Sequence, residues 1–197
     1  MNFLKLKKIE KLYFGYEDIA RVLSITPQSA RVTANRYVKK GFLIRAKRNI
    51  YLLKDRWLDL TREQKFILAN IIQTPSYISL MSALEYYEIT TQIQQDFIES
   101  IALKRTKEVE LDHTFFNYIK INPVLYSGFF RLRGFFIAPP EKAFLDAIYL
   151  KSFGRYQLDI SSIDFSKLKR KKVEEMAAMY PEKTKLYLRQ NDYFSAA

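Results

Sequence analysis

The sequence predicts an α+β chain in two parts. Residues 1–56 read as short helices followed by a basic β-hairpin, and residues 57–197 as a larger α+β domain with a mainly antiparallel sheet packed by helices. Three observations lead there. Apolar residues recur at helical spacing in the first third, alternate in the aromatic-rich middle, and return to helical spacing after Pro139. Charge divides the chain at the same place: residues 1–56 carry 14 Lys/Arg against 4 Asp/Glu, a net +10 of the total +12, while residues 57–197 carry 19 against 17. A hydrophobic content of 48% and an aromatic content of 15% supply packed cores and exclude wholesale disorder.

In the first part, "FLKLKKIEKL" places Phe3, Leu6, Ile9 and Leu12 at three-residue steps, predicting one apolar face of a first helix. "GYEDIARVLSI" predicts a short second helix burying Ile19, Ala20, Val22 and Leu23, with Glu17 and Asp18 in the first turn, where the helix dipole favours acids. A third helix starts at Thr26, an N-cap residue followed by Pro27, and stops at Gly41. Its inner stripe is Ala30, Thr33, Ala34, Tyr37 and Val38. Gln28, Ser29, Arg31, Val32, Asn35, Arg36 and Lys39 remain outside. "FLIRAKRNIYLL" then predicts a hairpin with Phe42, Ile44, Ile50 and Leu52 as its apolar alternation, and Arg45, Lys47 and Arg48 at the tip. Asn49 suits the left-handed turn position there.

Helix, tight turn, helix and basic hairpin make a winged helix-turn-helix, a layout that sets a helix in the major groove and a wing on phosphates or the minor groove. The outer face fits that use. Gln28 and Asn35 match adenine, Arg31 and Arg36 can fork onto guanine, Val32 can touch a thymine methyl, and Ser29 and Lys39 can hold phosphates. Acids are all but absent from residue 19 to 54. A second use of the same layout is docking a protein.

In the second part, "LTREQKFILANIIQT" predicts a helix capped by Thr61 with Gln64 three residues on, and with Phe66, Ile67, Ile71 and Ile72 inward. "PSYISLMSALEYYEITT" gives a short strand and a helix from about Ser79 to Tyr87. "DFIESIALKR", "HTFFNYIKI" and "PVLYSGFFRLRGFFIA" alternate and predict the antiparallel sheet. "PPEKAFLDAIYLKSF" opens a helix at Pro, with Glu141 in its first turn and Ala143, Phe144, Ala147, Ile148 and Leu150 buried. Two more helices follow, broken at Pro181. No 20–50-residue repeat and no low-complexity tract occurs.

The residue types needed for chemistry are scattered. The one histidine, His113, follows Asp112 without a plausible nucleophile and reads as a turn or surface residue. Glu85 with Glu88, and Glu141 with the Lys142–Asp146 neighbourhood, read as helix-surface or capping groups. No metal-ligand spacing and no Gly-rich phosphate loop is present, and only five glycines occur. The expectation is a non-enzyme without cofactor or metal. "KLKRKK", residues 167–172, is a second basic run whose partner, nucleic acid or acidic protein, the sequence leaves open. Cysteine is absent, so disulfides and thiolate metal sites are excluded, which suits a reducing cytosol. No apolar run reaches signal-peptide or membrane-span length, so a soluble cytoplasmic protein without a membrane partner is expected.

"YISLMSALEYYEI", followed some fifty residues on by "FFIAPPEKAFLDAIYL", resembles the AbiEi family of antitoxins when both come after a winged helix-turn-helix. Tyr77, Ile78, Ser79, Leu80, Ala83 and Leu84 match the first motif, and Ala138, Pro140, Glu141, Lys142, Ala143, Leu145 and Asp146 the second. Glu88 and Asn49 stand where that family often has glycine. The resemblance implies a transcriptional autorepressor and antitoxin of a type IV toxin–antitoxin (abortive infection, antiviral defense) system. It implies a first domain on double-stranded operator DNA with inverted repeats. It also implies a second domain opposing a nucleotidyltransferase-like toxin without a stable complex. The competing reading is a regulator whose second domain senses a ligand or dimerises, with no toxin.

Overall fold

The structure is a computed structural model and describes residues 3–191, 193 and 194. The chain separates into two compact units, Met1–Leu68 with Glu110–His113, and Ala69–Val109 with Thr114–Ala197. The first unit thus extends beyond residue 56.

Its elements are α1 (Phe3–Leu6), α2 (Tyr16–Leu23), α3 (Pro27–Lys39), β1 (Leu43–Lys47) and β2 (Ile50–Leu53). The long first helix expected from the sequence is a single turn. After Leu6 the chain continues through i→i+3 bonds, Lys8 N–H to the Lys5 carbonyl (3.2 Å) and Ile9 N–H to the Leu6 carbonyl (3.0 Å). A three-residue step repeats on one side of such a tight turn, so Phe3, Leu6 and Ile9 are still buried. Arg56 holds the end of this segment by donating to the Lys7 and Ile9 carbonyls at 2.6 and 2.7 Å.

The boundaries of α2 and α3 follow from local chemistry. The Asp18 carboxylate accepts the Gly15 N–H at 3.1 Å, and Ser24 ends α2 in the left-handed region. Thr26 Oγ1 accepts the Ser29 N–H at 3.2 Å, with Pro27 at the first helical position of α3. At the other end Gly41 has φ +72. Its N–H donates to the Val38 carbonyl and the Phe42 N–H to the Tyr37 carbonyl, closing a Schellman motif. Ala30, Thr33, Ala34 and Tyr37 are buried and Val38 half-buried.

The hairpin pairs Leu43 with Leu53, Ile44 with Leu52 and Arg45 with Tyr51, then shifts by a bulge so that Lys47 faces Ile50. The predicted alternation covers one of two apolar faces, and Ile44 and Leu52 are buried on it. Leu43, Tyr51 and Leu53 join Phe14, Ile19, Leu23, Ala30, Ala34 and Tyr37 in the core, whereas Ile44 and Leu52 lie on the opposite face. Both faces carry apolar residues, so alternation alone had no preferred side.

Helix α4 (Arg62–Ile72) opens with the expected capping box: Thr61 Oγ1 accepts the Gln64 N–H at 3.2 Å, and Gln64 Oε1 accepts the Thr61 N–H at 2.9 Å. Phe66, Leu68, Ala69 and Ile72 are its buried residues. Ile67 and Ile71 are half-buried.

The second unit contains β3 (Ser76–Ile78), α5 (Leu80–Tyr86), β4 (Phe97–Ala102), the first three residues of β5 (Lys107–Leu111), β6 (Thr114–Lys120), β7 (Phe130–Leu132), β8 (Phe135–Ile137), α6 (Pro140–Ser152), α7 (Arg170–Ala177) and α8 (Glu182–Asn191). Its sheet has the order β5-β6-β4-β3-β8-β7. It includes parallel pairs: β4 pairs with β6, and β3 with β8, in parallel, while β3–β4 and β7–β8 are antiparallel. The parallel pair arises because β6 returns into the space between β4 and β5 instead of extending a meander.

Helix α6 packs against α5, α7 and α8. Every residue from Glu141 to Leu150 is buried. The surface or capping role expected for Glu141, Lys142 and Asp146 is therefore corrected. Each fully enclosed Phe or Leu of this helix contributes roughly 1.5–3 kcal/mol by leaving water.

Candidate nucleic-acid interface

The outer face of α3 is set by what its inner stripe buries. With Ala30, Thr33, Ala34 and Tyr37 in the core, Gln28, Ser29, Arg31, Val32, Asn35, Arg36 and Lys39 are all exposed. Val32 is 67% exposed. The hairpin cations Arg45, Lys47 and Arg48 are exposed as well. All the residues expected to meet DNA thus lie on the surface of the first unit.

Three acids of residues 1–56, Glu17, Asp18 and Asp55, are engaged elsewhere. Asp18 accepts from Lys11 at 2.7 Å and lies 3.8 Å from Arg21. Its carboxyl is held below the usual carboxylate range. Burial opposes that, but the Lys11 hydrogen bond, the Gly15 N–H and the charges of Lys11 and Arg21 outweigh it. Asp55 pairs with Lys7 at 2.5 Å, and Glu17 accepts from Asn49. Among the described residues, the side chains of Arg31, Lys39, Arg45 and Arg48 have no acid partner. Arg36 has only the face of Tyr37, 5.5 Å from the ring centroid. Like charges left unneutralised on one surface repel one another in the free protein and attract a polyanion.

Asn49 has a larger role than the turn conformation expected of it. It takes φ 60, and its Oδ1 accepts the Tyr16 N–H at 2.7 Å while its Nδ2 donates to Glu17 at 3.1 Å. The hairpin tip is thereby fastened to the start of α2. Phe14 strengthens the same junction by exchanging backbone bonds with Tyr51 at 3.0 and 2.9 Å. Gly15 makes the approach possible, because a Cβ there would stand 3.1 Å from the Asn49 side chain. A glycine next to a helix start, with an asparagine at the hairpin turn, was the available signal.

His113, which belongs to the first unit, is exposed and has φ 67, a turn position. Glu85 is half-buried and Glu88 exposed. Among the described residues, no group of His, Asp or Glu is placed to hold a metal ion. In the run 167–172, Lys167, Lys169, Arg170, Lys171 and Lys172 are exposed and Leu168 is buried. Arg170 pairs with Glu174 at 2.9 Å.

A polar cluster that sequence reasoning missed lies inside the second unit. Lys142 and Asp146 form an ion pair one turn apart on α6, at 3% and 0% exposure. Lys142 also donates to Tyr180 (2.8 Å) and Tyr77 (3.1 Å). Asp146 accepts in addition from Tyr180 at 2.8 Å, Tyr77 at 2.9 Å and Ser79 at 2.8 Å. Burial, then the Asp146 charge, push the Tyr77 and Tyr180 phenols well above their ordinary range. Lys142 has three acceptors in the cluster, and each Asp146 oxygen has two donors. It ties β3 and Tyr180 to α6.

No family model matches the chain, and no curated protein matches it. Among solved structures the chain is similar to the crystal structure of the RV2827C protein from Mycobacterium tuberculosis, with a TM-score of 0.59 and 12% identity, over 97% of this chain and 75% of that one. At that identity the likeness is one of fold, and the fold class is α+β. No helix among the described residues is long and apolar enough to cross a membrane.

Proposed function

We propose that the chain is a DNA-binding transcriptional regulator whose first unit acts as a winged helix-turn-helix. Helix α3 enters the major groove and the hairpin β1–β2 holds the phosphate backbone. The observation that carries this reading is the surface of α3 and the hairpin, where Arg31, Arg36, Lys39, Arg45 and Arg48 stand exposed without acid partners. Arg31, Asn35 and Arg36, with Gln28 and Ser29, contact bases or phosphates, and Arg45, Lys47 and Arg48 contact phosphates. In keeping with the AbiEi resemblance, the chain represses its own operon and acts as an antitoxin, opposing a nucleotidyltransferase-like toxin without a stable complex. A cleft of about 660 Å³ between α7 and α8, lined by Val173, Ala177, Leu188, Arg170 and Arg189, favours a second reading in which that unit senses a small ligand.

The test is a gel-shift titration of the full chain on its own upstream DNA and on random DNA at two salt concentrations. Preferential binding is expected, with a log–log salt slope of about −0.9 per phosphate neutralised. Arg31→Ala with Arg36→Ala is expected to weaken it by about 1–3 kcal/mol per lost contact. Unchanged affinity in that double variant would remove α3 from the interface. A nucleotidyltransferase-like gene beside this one, and growth rescue on co-expression with it, would separate the antitoxin from the ligand-sensing regulator.

A further inference from the structure

We infer that α3 reads a half-site core of A·T pairs, with its arginines serving the phosphate walls and not guanine. The inference rests on the DNA-binding reading above and deepens it. Burial of Ala30, Thr33, Ala34 and Tyr37 fixes the rotation of the helix about its axis. The residues opposite that stripe form one row, Gln28, Val32, Asn35 and Lys39, at steps of four, three and four. Arg31 lies on one side of the row and Arg36 on the other, where Arg36 rests beside Tyr37.

A helix about 10–12 Å across nearly fills a major groove about 12 Å wide. Its apex then meets base edges, and its flanks meet the two sugar–phosphate walls. The apex carries two amides and one aliphatic group, with Lys39 at its C-terminal end, a full turn beyond Asn35. Among the described residues, Gln28 and Asn35 find no side-chain hydrogen-bond or ion-pair partner, which leaves both amides available for the N6 and N7 pattern of adenine. Val32 is the one apolar side chain of that row, and the thymine methyl is the one apolar group that the groove floor offers. Gln28 to Asn35 spans about 10 Å of helix rise, the length of about three base-pair steps at ~3.4 Å each. The guanidinium groups, the best readers of guanine, stand on the flanks instead.

The experiment selects binding duplexes from a random pool with the full-length chain, then titrates the winning site. A core of about three A·T pairs is expected. Replacing core thymine by uracil should weaken the native chain roughly three- to fivefold through loss of the methyl contact, and should leave Val32→Ala unaffected. Asn35→Ala should reduce discrimination at one A·T pair about tenfold. Arg31→Ala and Arg36→Ala should weaken selected and scrambled DNA alike, each lowering the salt slope by about one. All these side chains are exposed, so unchanged circular dichroism is expected for every variant. A G·C core, or an Asn35→Ala variant with the native preference, overturns the inference while leaving the regulator reading intact. Absence of duplex binding at low salt overturns that reading and the inference together.

Discussion

Replacing Lys142 by methionine keeps the length of the side chain and removes its charge from a site where Lys142 is 3% and Asp146 0% exposed. The Asp146 carboxylate would keep the hydroxyl donors of Tyr77, Tyr180 and Ser79 and lose its only cation. Breaking a buried pair from one side costs about 3–5 kcal/mol. For a chain of this size that corresponds to a fall in Tm of roughly 6–20 °C. Asp146→Leu alone strands the ammonium and should do similar harm. The double variant Lys142→Met with Asp146→Leu should be less damaged than the sum of the two, by about 2 kcal/mol or more, because no charge remains buried. The hydroxyls of Tyr77, Tyr180 and Ser79 would still want partners, so full recovery is not expected. The readout is hydrogen exchange of β3 and α6 peptides against urea. Tryptophan fluorescence would follow the wrong unit, since the single tryptophan, Trp57, is buried in the first. A Lys142→Met shift under about 1 kcal/mol, or strict additivity in the double variant, would refute the buried pair as the tie between β3, Tyr180 and α6.

Trp57 does suit a test of the hairpin tip. Asn49→Gly keeps the left-handed turn and loses the bonds to Tyr16 and Glu17, for an expected loss of about 1 kcal/mol, while Asn49→Ala adds the left-handed penalty and should lose about 2–3 kcal/mol. Equal losses in urea titrations followed by fluorescence would show that the conformation at Asn49 is not what selects it. Glu88 takes φ 57 after α5, so Glu88→Gly is expected to raise stability by about 0.5–1 kcal/mol, and a loss in thermal melting would contradict strain there. Tyr77, Tyr118, Tyr156 and Tyr180 are held above the ordinary phenol range, chiefly by burial. A raised folded pKa gives stability that is complete below pH 10 and lost as pH rises beyond it, since the unfolded chain ionises first. Phenolate absorbance should therefore show these tyrosines titrating together with unfolding. A smooth, reversible titration of every tyrosine with the fold retained would exclude their burial.

The elements legible in the sequence are those with local causes. Helix α3 could be read to within a residue because Thr26, Pro27 and Gly41 act on their immediate neighbours, and its outer face followed from the spacing of four buried positions. The capping box of Thr61 and Gln64 is local in the same sense. The choice between parallel and antiparallel pairing is not, because a strand alternates its side chains identically in both. Strand β5 escaped for another reason. It forms an edge of the sheet, and "KEVEL" carries the charges that keep an edge from pairing with other chains, so it lacks the apolar signature of an inner strand.

The buried pair marks where reading by spacing misleads. Lys and Asp four apart on a helix ordinarily face water, and nothing within α6 itself supplies their other partners. Tyr77 lies 65 residues before Lys142 and Tyr180 lies 38 after it. Yet the composition of α6 contained the answer. Ala143, Phe144, Leu145, Ala147, Ile148, Tyr149 and Leu150 leave no polar side for the helix to turn to water, and a helix apolar on all sides is enclosed. Any ion on such a helix is enclosed with it. It must therefore find its counter-ion and hydroxyls inside, which makes a Lys–Asp pair on an all-round apolar helix a signal for buried tyrosine or serine partners elsewhere in the chain.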